Sequence, residues 1–150
     1  MSELELFLHP GNLRLIWTSF LMTASLSVLG CGIGFLAGFF LALMRNPRIV
    51  PFAPARWFAI VYTETFRRIP FLVKLMVVLF AFQFAGLNVS LFTIAVTTVA
   101  LTAAAFASEN VRAGLESIHA NQWDAAEAMN MGGFTALWRV ILPQAWPVMI

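Results

Sequence analysis

Charged residues are scarce in this chain of 150 residues. Asp, Glu, Lys and Arg together make up 11% of the sequence, against roughly 25% in an average soluble domain. Hydrophobic residues make up 61%. A soluble domain of this size needs more polar side chains to cover its surface. The composition therefore predicts an integral membrane protein, with the lipid bilayer as its first partner.

Cysteine, lysine and histidine are almost absent as well. The single cysteine, Cys31, excludes a disulfide within the chain. The single lysine, Lys74, is followed by Leu75, so there is no phosphate-binding G-K-[ST] loop and the chain cannot itself be a P-loop ATPase. His9 and His119 are too far apart to form a metal cage alone. Without a catalytic triad or paired acids in the apolar runs, we expect no enzyme activity and no cofactor in this chain.

Long uncharged runs predict three membrane-spanning helices. A hydrocarbon core of about 30 Å needs about 20 helical residues, and the first run is long enough for one tilted span. A second run is too long for one span and breaks at Gly86-Leu87-Asn88. Lys74 lies near the start of its first half, where its stem can snorkel to the headgroups. The predicted spans are about 15–44, 70–87 and 89–108.

The positive charges predict the orientation. Seven of the nine Lys and Arg residues lie between the first two predicted spans or after the third, and Lys74 lies near the start of the second span. The positive-inside rule therefore places both segments in the cytoplasm, and the N-terminus and the Gly86–Asn88 turn outside. The alternative is a signal peptide with Cys31 as a lipid attachment site. It requires positive charge before the apolar run, whereas here Glu3 and Glu5 outnumber Arg14 before the run, and the run continues past Cys31 to Met44.

Two patterns concern helix contacts. Gly30, Gly34 and Gly38 recur every four residues on one face of the first span, which allows another helix to approach closely. That helix belongs either to the same chain or to a second subunit. The stretch 55–68 interleaves apolar and charged residues, and is either an interfacial helix or an extension of the second span.

A polar segment, 109–143, follows the third span and predicts a helix-turn-helix. Asn121 is placed to cap a helix over about 122–129. Asn130 or Gly132-Gly133 stops that helix, because Asn and Gly tolerate left-handed backbone angles. The second helix carries an apolar stripe and ends or turns at Pro143. The stripe consists of Phe134, Leu137, Trp138 and Ile141.

The residue types of this segment favour docking to a partner protein over metal binding or catalysis. Ala125 and Ala126 are small, as a helix that enters a partner's groove requires. Glu116 and His119 are three residues apart and could share a metal ion. The lack of a third ligand at a suitable spacing favours solvated polar surface instead.

Three motifs carry a resemblance to a known family. Asp124-Ala125-Ala126, Asn130 and Val140-x-Leu142-Pro143 resemble, at the same spacing, the EAA---G---------I-LP loop of bacterial ABC-importer permeases. Residues 65–75 are similar to the F-R-G-T-P-L-L-V-Q-L segment of the polar amino-acid branch, and residues 108–114 to its A-E-x-x-R-G-G stretch. The departures from these patterns include Arg68, Ile69, Lys74, Asp124 and Asn130.

The resemblance implies an all-α integral membrane protein with part of the type I ABC-importer permease fold. Residues 1–150 would form one permease domain with three transmembrane helices and a cytoplasmic coupling helix-turn-helix at about 109–143. The chain would be a multi-pass protein of the inner membrane that serves import of polar amino acids. The residues implied to couple it to an ATPase are Gln122, Trp123, Asp124, Ala125, Ala126, Glu127, Ala128, Asn130, Val140, Leu142 and Pro143.

The same resemblance implies partners. These are a cytoplasmic ABC ATPase that holds ATP and Mg, a second permease subunit in a homo- or heterodimer, and an external solute-binding protein. Nucleic acid is not expected as a partner, because the few charges are scattered at the ends of the apolar runs. The alternatives are a permease for another small solute, or an inactive remnant or membrane adaptor that only binds the ATPase. Members of the family usually continue for two more spans, so we expect a fragment whose residues 145–150 open the next helix. The motifs do not identify substrate-contacting residues.

Overall fold

The computed structural model describes residues 10–149, and this part of the chain is built from helices without strands. The predicted external position of the N-terminal tail, with Glu3 and Glu5, lies outside the described residues. In chain order the helices are α1 (Pro10–Arg45), α2 (Ala53–Arg68), α3 (Phe71–Phe84), α4 (Leu91–Glu116), α5 (Ala120–Ala128), α6 (Gly133–Ala136), a π-helical turn (Leu137–Ile141) and α7 (Leu142–Met149).

Two of these helices are long and apolar enough to cross a membrane: Asn12–Arg45 within α1, and α4. The apolar α3 has 14 residues, or about 21 Å of helix, and is shorter than the predicted span 70–87. It ends early because the turn begins at Ala85 and passes through Gly86, whose φ of 69° favours glycine. The predicted turn is therefore present, but it occupies more residues on both sides.

Helix α4 begins and ends later than its predicted span. Its N-cap is Ser90, whose hydroxyl oxygen accepts a hydrogen bond from the Thr93 N–H at 3.2 Å. The helix continues beyond Ser108 to Glu116, so the segment predicted as a loop from residue 109 begins as helix. Arg112 pairs with Glu109 three residues before it and with Glu116 four residues after it. Such spacings stabilise a helix, which explains why the charges do not end it.

The three-glycine face of α1 packs against α4. A Cβ atom added at Gly34 would lie 2.5 Å from the Ala103 Cβ, and one at Gly38 would lie 2.5 Å from the Ala104 carbonyl oxygen. At Gly30 the nearest atom would be the Val99 Cγ1, at 2.6 Å. The glycines thus let two helices of the same chain approach at backbone distance.

Helix α2 is separate from α3, because the chain is extended at Ile69-Pro70 between them. The predicted snorkelling of Lys74 is wrong. Its side chain is buried, and Nζ donates a hydrogen bond to the Phe66 carbonyl oxygen at 3.0 Å. The ammonium group therefore satisfies a carbonyl in the last turn of α2, where a helix leaves such groups free.

The polar segment folds onto the C-terminal ends of α1 and α4 through an apolar core. Its members come from α1, α4, α5, α6, the π-helical turn and α7: Ala42, Leu43, Val111, Leu115, Trp123, Ala126, Ala136, Leu137, Ile141, Ala145 and Met149. The helix predicted to end or turn at Pro143 continues to Met149. Before the proline, the Leu142 N–H donates to the Leu137 carbonyl, a spacing of five residues. Such a π-helical turn inserts one extra residue into the helix.

Candidate functional site

Helix α5 and the residues after it form the segment that carries the loop motif. The helix begins at Ala120 after the extended residue His119, and the Gln122 N–H donates to the His119 carbonyl at 3.0 Å. The predicted N-cap, Asn121, lies inside the first turn, so this prediction is wrong. No side chain caps the helix; it is short and is held by its packing against the core.

The two faces of α5 are sharply different. Trp123 and Ala126 are three residues apart, lie on one side, and have exposed fractions of 8% and 0%. The prediction that Ala126 lies on a docking face together with Ala125 is therefore wrong, because the Ala126 side of the helix packs against the chain's own core. The opposite face is exposed, and consists of Gln122, Asp124, Ala125, Glu127 and Ala128.

Asn130 ends the helix in the left-handed conformation, as predicted. Its φ is 57°, the only positive φ of a non-glycine residue within 10–149. The Asn130 N–H donates to the Glu127 carbonyl, and the Met131 N–H to the Ala126 carbonyl, at 2.8 and 3.0 Å. These two bonds form a Schellman motif with Asn130 at its left-handed position. The alternative, a turn at Gly132-Gly133, is wrong, because Gly132 is extended with φ −63° and precedes α6.

The far end of the motif returns to α5. Val140 and Leu142 are half-buried against the apolar core, whereas Pro143 is exposed. The Gln144 amide donates to the Val140 carbonyl at 2.8 Å and contacts the Gln122 side chain at 3.3 Å. The two motif segments are thus adjacent in space, although about twenty residues separate them in the chain.

Arg48 is the contact that sequence reasoning missed. It belongs to the linker between α1 and α2, its Nη1 lies 3.1 Å from the Asp124 Oδ1, and its guanidinium lies 5.7 Å from the centre of the Trp123 ring. No local pattern relates it to Asp124, because 76 residues separate the two. Only the opposite signs of their charges could have suggested the pair.

A cluster of charges joins the C-terminal ends of α1 and α2 to α4. Glu109 directly follows the uncharged part of α4, residues 91–108. Its carboxylate accepts hydrogen bonds from Arg45 of α1, at 2.8 Å, and from Arg112, and it lies 3.5 Å from Arg67 of α2. These contacts join the end of α1 and the last turn of α2 to α4.

The structure does not favour a metal site at Glu116 and His119. Glu116 pairs with Arg112, and His119 directly precedes α5. Among the residues that the structure describes, no group of three His, Cys, Asp or Glu side chains is placed to hold a metal ion.

The two long apolar helices and their close contact at the glycines agree with the composition in favouring a helical integral membrane protein. Residues 34–150 match the family of binding-protein-dependent transport system inner membrane components, and the chain belongs to this family. Its relatives are permeases of amino-acid ABC transporters. The family resemblance inferred from the loop motif is therefore confirmed.

Individual relatives agree with this assignment. The chain is 34% identical to the L-cystine transport system permease protein TcyB of Bacillus subtilis over 128 residues, which are 85% of this chain and 53% of the relative. It is also 34% identical to the arginine transport system permease protein ArtQ of Bacillus subtilis, over 83% and 56% of the two chains. The chain thus spans about half the length of these curated relatives.

A solved structure shares the fold. The crystal structure of an amino acid ABC transporter with histidines superposes with a TM-score of 0.72 at 29% sequence identity. The match covers 91% of this chain and 65% of that one.

Proposed function

We propose that this chain is a permease subunit of an ABC importer for polar amino acids. The observation that carries the proposal is the division of α5 into two faces. Trp123 and Ala126 fix one face to the ends of α1 and α4, and the other face, centred on Ala125, is free to meet a partner. A cytoplasmic ATPase that binds this second face, and itself holds ATP and Mg, could move the membrane helices through the shared core.

The remaining partners follow from the family. A second permease subunit, identical or different, would complete the membrane pathway, and an external solute-binding protein would deliver the solute. The relatives are named for cystine, glutamine and arginine. The proposal therefore specifies a class of solutes and leaves the individual amino acid open. The family is an inner membrane component, and we place the N-terminus outside and α5 in the cytoplasm.

The docking role of α5 is tested by Ala125→Trp. The added volume on the exposed face should obstruct a close contact, and overpacking typically costs 1–3 kcal/mol, which is about 5- to 150-fold in affinity. We expect the ATPase subunit encoded with this chain to co-purify with the unmodified chain and to be lost from the variant. The matched control is Ala113→Trp, at an exposed alanine of α4, which should retain the ATPase. Failure of the unmodified chain to bind the ATPase, or equal binding by both variants, contradicts the proposal.

The orientation has its own test. Single cysteines at Pro47 and Asn88, both exposed, are introduced in a Cys31→Ala background, because Cys31 is itself free and exposed. An impermeant thiol reagent should label intact cells at position 88 only, and both positions after permeabilisation. Labelling of intact cells at 47 but not at 88 would reverse the orientation.

A further inference from the structure

The linker between α1 and α2 folds into an ordered turn that lies against α5. The Ile49 and Val50 N–H groups both donate to the Asn46 carbonyl, at 3.1 and 3.0 Å. The Arg48 N–H donates to the Asn46 side-chain oxygen at 2.9 Å, and Ile49 packs against the apolar core. The backbone of Arg48 is thus held in place on both sides, and its side chain extends from a fixed point.

Arg48 touches the loop on both sides of the turn at Asn130. Its guanidinium lies over the Trp123 ring and beside the Asp124 carboxylate, in the middle of α5. A Cβ atom added at Gly133, at the start of α6, would lie 2.6 Å from the Arg48 carbonyl oxygen. One linker residue therefore contacts the segment before and after the turn at Asn130.

The packing around these contacts is incomplete. Arg48 and Trp123 both line two cavities, of about 540 and 330 Å³, one on the side of α4 and one on the side of α6. Apart from the buried Trp123 and Ala126 and the contact between Gln122 and Gln144, the sides of α5 that face these cavities meet open space. The Arg48 contacts therefore add to that packing in fixing the orientation of the exposed face.

We infer that Arg48 is a positioning residue, which sets the angle at which α5 presents its exposed face to the ATPase. The inference rests on the proposed function. The Arg48–Asp124 pair is exposed, with 44% and 62% of the two side chains accessible, so it adds little to the stability of the fold. Its effect should appear in ATP hydrolysis by the assembled complex, while the amount of complex stays the same.

A double-mutant cycle tests the pair. In the purified complex of the full chain with its ATPase, Arg48→Gln should lower the rate of MgATP hydrolysis per complex by about two- to tenfold. Asp124→Asn removes the same ion pair from the other side. If the pair positions the helix, the double variant should be no slower than the slower single variant. Multiplicative losses, or losses of assembled complex in place of hydrolysis rate, would overturn the inference.

The backbone contact provides a second test with a matched control. Gly133→Ala places a Cβ against the Arg48 carbonyl and should displace the linker, whereas Gly132→Ala meets no atom within 4 Å. We expect slower MgATP hydrolysis per complex for Gly133→Ala and an unchanged rate for Gly132→Ala. Equal rates for the two variants would overturn the inference. That result differs from failure of the proposed function, in which the unmodified chain binds no ATPase at all.

Discussion

Replacing Gly38 with leucine should prevent α1 and α4 from packing together. A Cβ at position 38 would lie 2.5 Å from the Ala104 carbonyl oxygen and 2.9 Å from the Ser108 nitrogen, so it would meet backbone that a side-chain rotation cannot move. Overpacking typically costs 1–3 kcal/mol and occasionally more. Here the added side chain would force apart α1 and α4, which meet at backbone distance. We expect a large loss of monodisperse protein after detergent extraction, and a lower melting temperature for what remains.

The matched control is Gly32→Leu in the same helix. A Cβ at Gly32 meets no atom within 4 Å, so leucine there should be tolerated, and its higher helix propensity favours the folded state. Gly34→Leu should resemble Gly38→Leu, because its Cβ would come within 2.7 Å of the Ala100 carbonyl. If Gly32→Leu lowers the yield as much as Gly38→Leu, the glycine face does not determine the packing of this pair.

Three features of the fold were predictable because a single physical constraint determines each of them. Uncharged runs long enough to cross a bilayer correspond to α1 and α4, because a membrane leaves few alternatives to a helix. The four-residue spacing of Gly30, Gly34 and Gly38 predicts a close helix contact. Asn130 was predictable at the end of α5, because few residues other than glycine adopt positive φ readily.

The sequence was less informative where tertiary contacts determine the end of a helix, the burial of a side chain or a long-range contact. The charges of Glu109 and Arg112 suggested the end of a helix, but they pair with each other and with neighbouring helices, and α4 continues. Ala126 and Ala125 are adjacent and identical, and only packing against Trp123 and the core shows which of them is buried. Arg48 lies outside every motif, and its role depends on a contact across 76 residues.

A second large effect is expected at Glu109. Glu109→Gln keeps the size of the side chain but leaves Arg45, Arg67 and Arg112 without their shared carboxylate. Breaking a buried ion pair costs about 3–5 kcal/mol, and exposed pairs are worth at most about 1 kcal/mol. Because Glu109 is 20% exposed, we expect a loss of about 1–3 kcal/mol in the free energy of unfolding. Glu116→Gln is the control, since Glu116 is 64% exposed and should lose less than about 1 kcal/mol.

The arginines around Glu109 should not contribute equally, which gives the cluster a second test. Arg45 lies 2.8 Å from the carboxylate and is 13% exposed, whereas Arg67 lies 3.5 Å away and is 37% exposed. Arg67 can turn to solvent when Glu109 is neutralised, but Arg45 remains partly buried without a counter-charge. The coupling energy in a double-mutant cycle with Glu109→Gln should therefore be larger for Arg45→Gln than for Arg67→Gln. If the order is reversed, Glu109 chiefly holds α2, and the contact between the ends of α1 and α4 rests on apolar packing alone.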